Sequence, residues 1–164
     1  MMRVYIPATV ATLQQLVTDG SLWPVNGTAF AVTPTLREAY AEGDDDELAE
    51  VALREAALAS LRLLAADPET PRRRAVLAAD VDEAKCRPDL DEAVVRLPAP
   101  VAIEHVVAAF VDNSDAEPAV SAAITVIDAA DLGDEDADLV VGDAQDHDLA
   151  WYATQELPFL LDLL

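Results

Sequence analysis

Two aspartates, Asp80 and Asp82, flank a single valine directly after the run Ala75-Val76-Leu77-Ala78-Ala79. That run has the character of a buried strand. In an open α/β sheet, ligands bind beyond the carboxyl ends of the strands. A D-x-D pair there puts two carboxylates where chemistry can be done. One can hold Mg²⁺ through its oxygens, and the other can act as nucleophile or acid. Asp112 or Asp143 can complete the cation shell of a site built on Asp80 and Asp82. The chemistry this constellation points to is divalent-metal-dependent hydrolysis.

The Asp80-Val81-Asp82 segment resembles the first motif of the haloacid-dehalogenase-type phosphatases, and Gly142-Asp143 with Asp148 resembles their late metal-binding motif. Membership would imply an Asp nucleophile and a Mg²⁺ cofactor. The resemblance is incomplete. The family's first motif lies on the first strand, whereas here most of a βαβαβ unit precedes Asp80. The segment between Asp82 and Gly142 is short for the fold usually found between the motifs. Lys85, the one lysine, is too close to Asp82 to come from a later element.

Other sites are weaker. Asp134, Asp136 and Asp138 match the first ligand positions of a calcium loop. Leu139 then stands where the turn needs Gly, and Gln145 where a bidentate Glu is needed. His105 and His147 are the only histidines and Cys86 the only cysteine, so no zinc spacing exists. His105 sits in an apolar stretch and reads as a core residue. The cluster Arg72-Arg73-Arg74 can grip a phosphate or an acidic partner, or balance the protein's own acidic surface. The end of the chain, with Trp151, Tyr152, Phe159, Leu160, Leu161, Leu163 and Leu164, reads as a segment docked on its own core, or offered to a partner groove or a second copy.

Charge constrains partners more firmly. The chain carries 32 acidic and 10 basic residues in 164, a formal net charge of −22, and no Lys or Arg follows Arg96. Phosphate backbones and anionic membranes are repelled by such a surface. A basic protein surface is attracted. A lone cysteine excludes an internal disulfide, and the first residues lack the pattern of a signal peptide. The expected location is cytoplasmic. Hydrophobic residues at 52% argue for a packed core, and aromatics at 5% mean that Ala, Val and Leu must build it.

The elements that must position these residues follow from periodicity. Strands are expected at Arg3–Ile6, Thr28–Val32, Ala75–Ala79, Ala93–Leu97, Val106–Val111 and, briefly, Leu139–Val141. Helices are expected from Thr9 to Asp19, from Pro34 to Tyr40 and from Asp46 to Ala66. In the longest, Leu53, Ala57, Leu61 and Leu64 mark an apolar face. Asp44, Asp45 and Asp46 suit its N-terminus, where acidic groups meet the positive end of the dipole. Two further helices are expected over Glu117–Ala130 and His147–Glu156. Alternating strands and helices suggest βαβ units. The expected fold is thus one α/β domain over residues 1–164, with a mixed, mostly parallel sheet of about five strands packed by helices.

The segments Met2-Arg3-Val4-Tyr5-Ile6-Pro7-Ala8-Thr9, Thr28-Ala29-Phe30-Ala31-Val32-Thr33-Pro34, Ala75 to Val81 and Trp151-Tyr152-Ala153-Thr154-Gln155-Glu156-Leu157-Pro158 resemble a family of small, uncharacterised actinobacterial proteins. This resemblance spans nearly the whole chain and implies no activity, cofactor or catalytic residue. The leading expectation is a small acidic cytoplasmic interaction or regulatory protein without catalytic activity or cofactor. Its partner would be a basic protein surface or a second copy joined through the C-terminal helix, not nucleic acid or membrane. A nucleic-acid mimic occupying a basic cleft is a third expectation. The alternative is the Mg²⁺-dependent hydrolase using Asp80 and Asp82.

Overall fold

The computed structural model describes residues 1–164. Nine strands run in chain order as β1 (Met2–Ala8), β2 (Ser21–Leu22), β3 (Thr28–Phe30), β4 (Ala75–Val81), β5 (Lys85–Cys86), β6 (Val94–Arg96), β7 (Val101–Ala102), β8 (Val106–Val111) and β9 (Ala150–Tyr152). The helices are α1 (Val10–Asp19), α2 (Pro34–Ala39), α3 (Asp45–Ala66), α4 (Glu117–Asp131), α5 (Glu135–Gln145) and α6 (Leu157–Asp162). No helix is long and apolar enough to cross a membrane.

The main sheet has seven strands in the order β5-β6-β3-β1-β4-β8-β9. Every neighbouring pair is antiparallel. This corrects the expected mostly parallel sheet of about five strands. The correction has a topological cause. β3 and β4 each run antiparallel to β1, so they are parallel to one another, and α3 joins them as a βαβ crossover would. β1 lies between them and pairs with both. A helix between two strands therefore does signal parallel strands here, but not adjacent ones. The link from β1 to β3 differs. α1 carries the chain away, Gly20 at φ 77° caps it in the left-handed region, and β2 brings the chain back. β3 thus starts near the end of β1 and runs against it.

Pro7 does not end β1, because the strand continues to Ala8. β3 meets β1 at one pair only, Tyr5 and Phe30. That sparse ladder leaves room in β1 for a residue without an N–H. Two other expectations are overturned near the C-terminus. Leu139–Val141 belongs to α5, whose N-cap Asp134 accepts from the Ala137 N–H at 2.9 Å. The expected helix over His147–Glu156 is replaced by the edge strand β9, with Trp151 opposite Phe110. Pro158 then lies in the first turn of α6.

Strand alternation sends side chains to two faces. Val4, Ile6, Leu77, Ala79 and Ala109 pack against Leu13 and Leu16 of α1 and Leu157 and Leu160 of α6. Tyr5, Phe30, Val76, Ala78 and Val94 pack against Leu36 of α2 and Leu48, Ala52, Ala56 and Ala57 of α3. Three alanines at the contact let α3 lie close to the sheet. Further along, α3 turns Leu61 and Leu64 toward Val120, Ala123 and Ile127 of α4 and Val141 and Ala144 of α5. The α4–α5 hairpin is thus a further layer built on the second half of α3.

One buried polar side chain ties helix to sheet. Ser60 on α3 is fully buried; its hydroxyl donates to the Ala8 carbonyl at 2.7 Å and accepts from the Ala75 N–H at 3.1 Å. It thus serves the end of β1 and the start of β4 together. Ser60→Ala leaves both backbone groups without that partner, and should cost about 1–3 kcal/mol of stability in urea unfolding. A change within about 0.3 kcal/mol of zero would show that the bridge is dispensable.

Candidate functional site

The structure does not bring the D-x-D aspartates and their proposed helpers together. Asp80 lies one residue before the end of β4, opposite Arg3, and accepts from the Arg3 guanidinium at 2.7 and 3.3 Å. That hydrogen bond holds its carboxyl below the usual carboxylate range. Asp112 follows β8 and pairs at the opposite end of β4, roughly 20 Å from Asp80 by the rise of a strand. Asp143 is exposed on α5. No three His, Cys, Asp or Glu side chains are arranged to hold a metal ion.

Asp112 has a different task. It and Arg74 are completely buried, with side-chain exposures of 0% and 2%. Arg74 Nε and Nη2 donate to the two carboxylate oxygens at 2.9 and 2.8 Å, and the Arg74 backbone N–H adds a third bond at 2.8 Å. Nη1 donates to Gln145 Oε1 at 2.9 Å, and Nη2 to the His147 carbonyl at 2.7 Å. Gln145 in turn donates from Nε2 to the Arg54 carbonyl at 3.0 Å. One guanidinium therefore joins β4, β8, the end of α5 and, through Gln145, α3. The cluster Arg72-Arg73-Arg74 is turned largely inward. Arg73 pairs with Glu117 at 2.9 Å, and only Arg72 has no ion pair.

The cleft beyond the end of β4 holds another group. Asp82, Glu83, Lys85 and Arg96 line a cavity of about 560 Å³ floored by Met2, Ala84, Leu97 and Pro98. Asp82 and Glu83 continue into an adjoining cavity of about 290 Å³ that reaches His105. His105 was expected in the core and is exposed instead. The short 3-10 turn Ile103–His105 interrupts the apolar run before β8, so the run is not one continuous strand. Arg96 is the site residue that sequence reasoning missed. Its signal was present: it is the last cation before a wholly acidic stretch.

A different surface lies between α2 and the first turns of α3. Tyr40, Leu48 and Val51 line a groove of about 940 Å³ with Glu42, Asp46, Glu47 and Glu50, and no Lys, Arg or His lines it. Its position follows from local structure. Thr33 caps α2, accepting from the Leu36 N–H at 3.1 Å, and Asp44 caps α3, accepting from the Glu47 N–H at 2.8 Å. The two caps fix the bend that opens the groove. On the opposite face of the sheet, Leu157 and Leu160 of α6 are buried while Phe159 and Leu163 are exposed, so the C-terminal segment is half docked on its own core.

The fold and these sites define a layered α/β chain with a fully antiparallel main sheet and an acidic surface. Residues 2–161 match the model of a family of unknown function, DUF6912, and the chain belongs to that family. No curated protein and no solved structure matches it.

Glu55 on α3 carries a separate consequence. Burial, reinforced by the negative charges of Asp91 and Glu92, pushes its carboxyl above the usual range. A carboxyl raised in the folded state favours folding while protonated, and that contribution is lost as pH rises through its folded value. Glu55→Gln should therefore raise the melting temperature at pH 7 and change it much less near pH 4. Equal shifts at both pH values, or a loss at pH 7, would contradict the desolvation of Glu55.

Proposed function

We propose that this chain is an interaction protein that takes a basic segment of a partner protein in the groove between α2 and α3, without catalysing a reaction there. The observation that carries this reading is the groove itself: Tyr40 and the half-buried Val51 offer apolar contact over the buried Leu48, and Glu42, Asp46, Glu47 and Glu50 surround them without a cation among them. An apolar anchor flanked by Lys or Arg matches both features. The aromatic ring supplies contact area, and the carboxylates supply orientation and a fast, salt-sensitive encounter. The net charge of −22 strengthens the long-range attraction for a basic partner and opposes the approach of a second copy. The reading sets the protein in the cytoplasm of an actinobacterium, on the grounds of its single thiol, Cys86, and its preference for Arg over Lys.

The test is a fluorescence-anisotropy titration with a labelled peptide in which two Arg residues flank a Leu-Leu pair. Binding should weaken steeply between about 50 and 300 mM NaCl. Glu47→Gln with Glu50→Gln should raise Kd about tenfold, and Tyr40→Ala by a similar factor. If these variants bind the peptide as tightly as the parent, the groove is not the site. If binding ignores salt, charge is not what recognises the partner.

A further inference from the structure

We propose a second binding site, in the cleft beyond the end of β4, where Lys85 and Arg96 receive the oxyanion of a small molecule, a phosphate or a carboxylate. The two side chains belong to residues paired across the β5–β6 ladder, Lys85 opposite Arg96. Like charges directly opposite one another in a sheet are destabilising. In a chain with 32 carboxylates, relief by an ion pair is readily available, yet neither cation makes one. Asp82 and Glu83 line the same cavity without pairing with them.

The geometry of Arg96 narrows the ligand. Its Nη1 donates to the Asn26 carbonyl at 3.1 Å, which anchors one side of the guanidinium. The Nε is buried and has no acceptor in the protein, and Nη2 makes no hydrogen bond within it. The Nε–Nη2 edge is the one that grips carboxylate or phosphate with two parallel bonds. A buried donor without an acceptor is uncommon and calls for an explanation. An oxyanion that takes Nη2 and the Lys85 ammonium relieves the repulsion between the two cations, and a small turn of the guanidinium then brings the shielded Nε onto it as the second bond. The cavity, about 560 Å³, is of the size that holds small metabolites. Asp82 and Glu83, which also line it, favour a ligand whose remainder is neutral or carries an amine over one with a second anion.

The site is distinct from the peptide groove between α2 and α3, so either can fail without the other. The experiment uses the whole chain, ¹⁵N-labelled, titrated with inorganic phosphate and separately with acetate, each against NaCl of matched ionic strength. Saturable shifts of the Lys85, Cys86, Val95 and Arg96 amides are expected with at least one of the two anions, and which one responds assigns phosphate or carboxylate chemistry. Lys85→Gln should raise the apparent Kd about tenfold, as one lost charge-assisted bond does. Arg96→Lys, which keeps the charge and loses the fork, should do the same, and Arg72→Gln should leave binding unchanged. Lys85 is exposed, so its variant tests the site even if Arg96→Lys folds poorly. Shifts no larger than those with NaCl for both anions, or binding unaffected by Lys85→Gln, would overturn the proposal.

Discussion

The buried pair of Arg74 and Asp112 is the constraint on which the arrangement of layers depends. Two charges lie out of water between β4 and β8, and they survive there because nearly every donor and acceptor is used. The desolvation of such a pair is repaid only when its geometry is this complete. The position matters as much as the bonds. Arg74 precedes β4, and Asp112 follows its neighbour β8 just before the chain leaves for the α4–α5 hairpin. The Gln145 and His147 contacts then catch the chain as it returns toward β9. The departure and return points of the helical hairpin are thereby tied to one side chain. Hydrophobic packing of α4 and α5 on α3 is non-directional. The guanidinium supplies the direction.

That constraint sets the two ends of β4 apart. Its first end is occupied by the buried network and by Ser60, both committed to holding layers together. Its other end opens on the cleft of Asp82, Lys85 and Arg96, where charged groups are exposed or lack partners. A carboxylate on this chain is therefore informative by its pairing. Asp80 and Asp112 are both paired with arginines, whereas Glu42, Asp46, Glu47 and Glu50 face a groove with no cation in it. The large excess of acid divides into a structural minority, paired with arginines, and carboxylates that no cation in the chain pairs.

Much of the element content was legible in the sequence, and the pairing was not. α3 was readable because its caps, Asp44 and Asp67, bracket a long periodic run. β4 and β8 were readable as apolar runs. The antiparallel sheet was not, since strand direction depends on where each connection returns, and β1 slots between two parallel strands without any local mark. β9 was hidden because Ala150-Trp151-Tyr152 is too short to show alternation and follows an Asp that suits a helix cap. The role of Asp112 was hidden by type: a carboxylate after a strand reads as a ligand until its partner, Arg74, far away in sequence, is seen beside it. Arg96 was overlooked because its one signal, being the last cation before an acidic stretch, marks a place in the sequence and not the Lys85 that the sheet sets opposite it.

The central claim, that Arg74 and Asp112 act as one clamp, is tested most directly by a double-mutant cycle in urea unfolding with Arg74→Met, Asp112→Asn and the two combined. Each single change should cost about 3–5 kcal/mol, because it strands a buried charge or its partners. The combined change should cost clearly less than the sum, by a coupling of about 1–3 kcal/mol. Additive losses would mean that each residue acts separately, and that the layers are held in register by apolar packing alone.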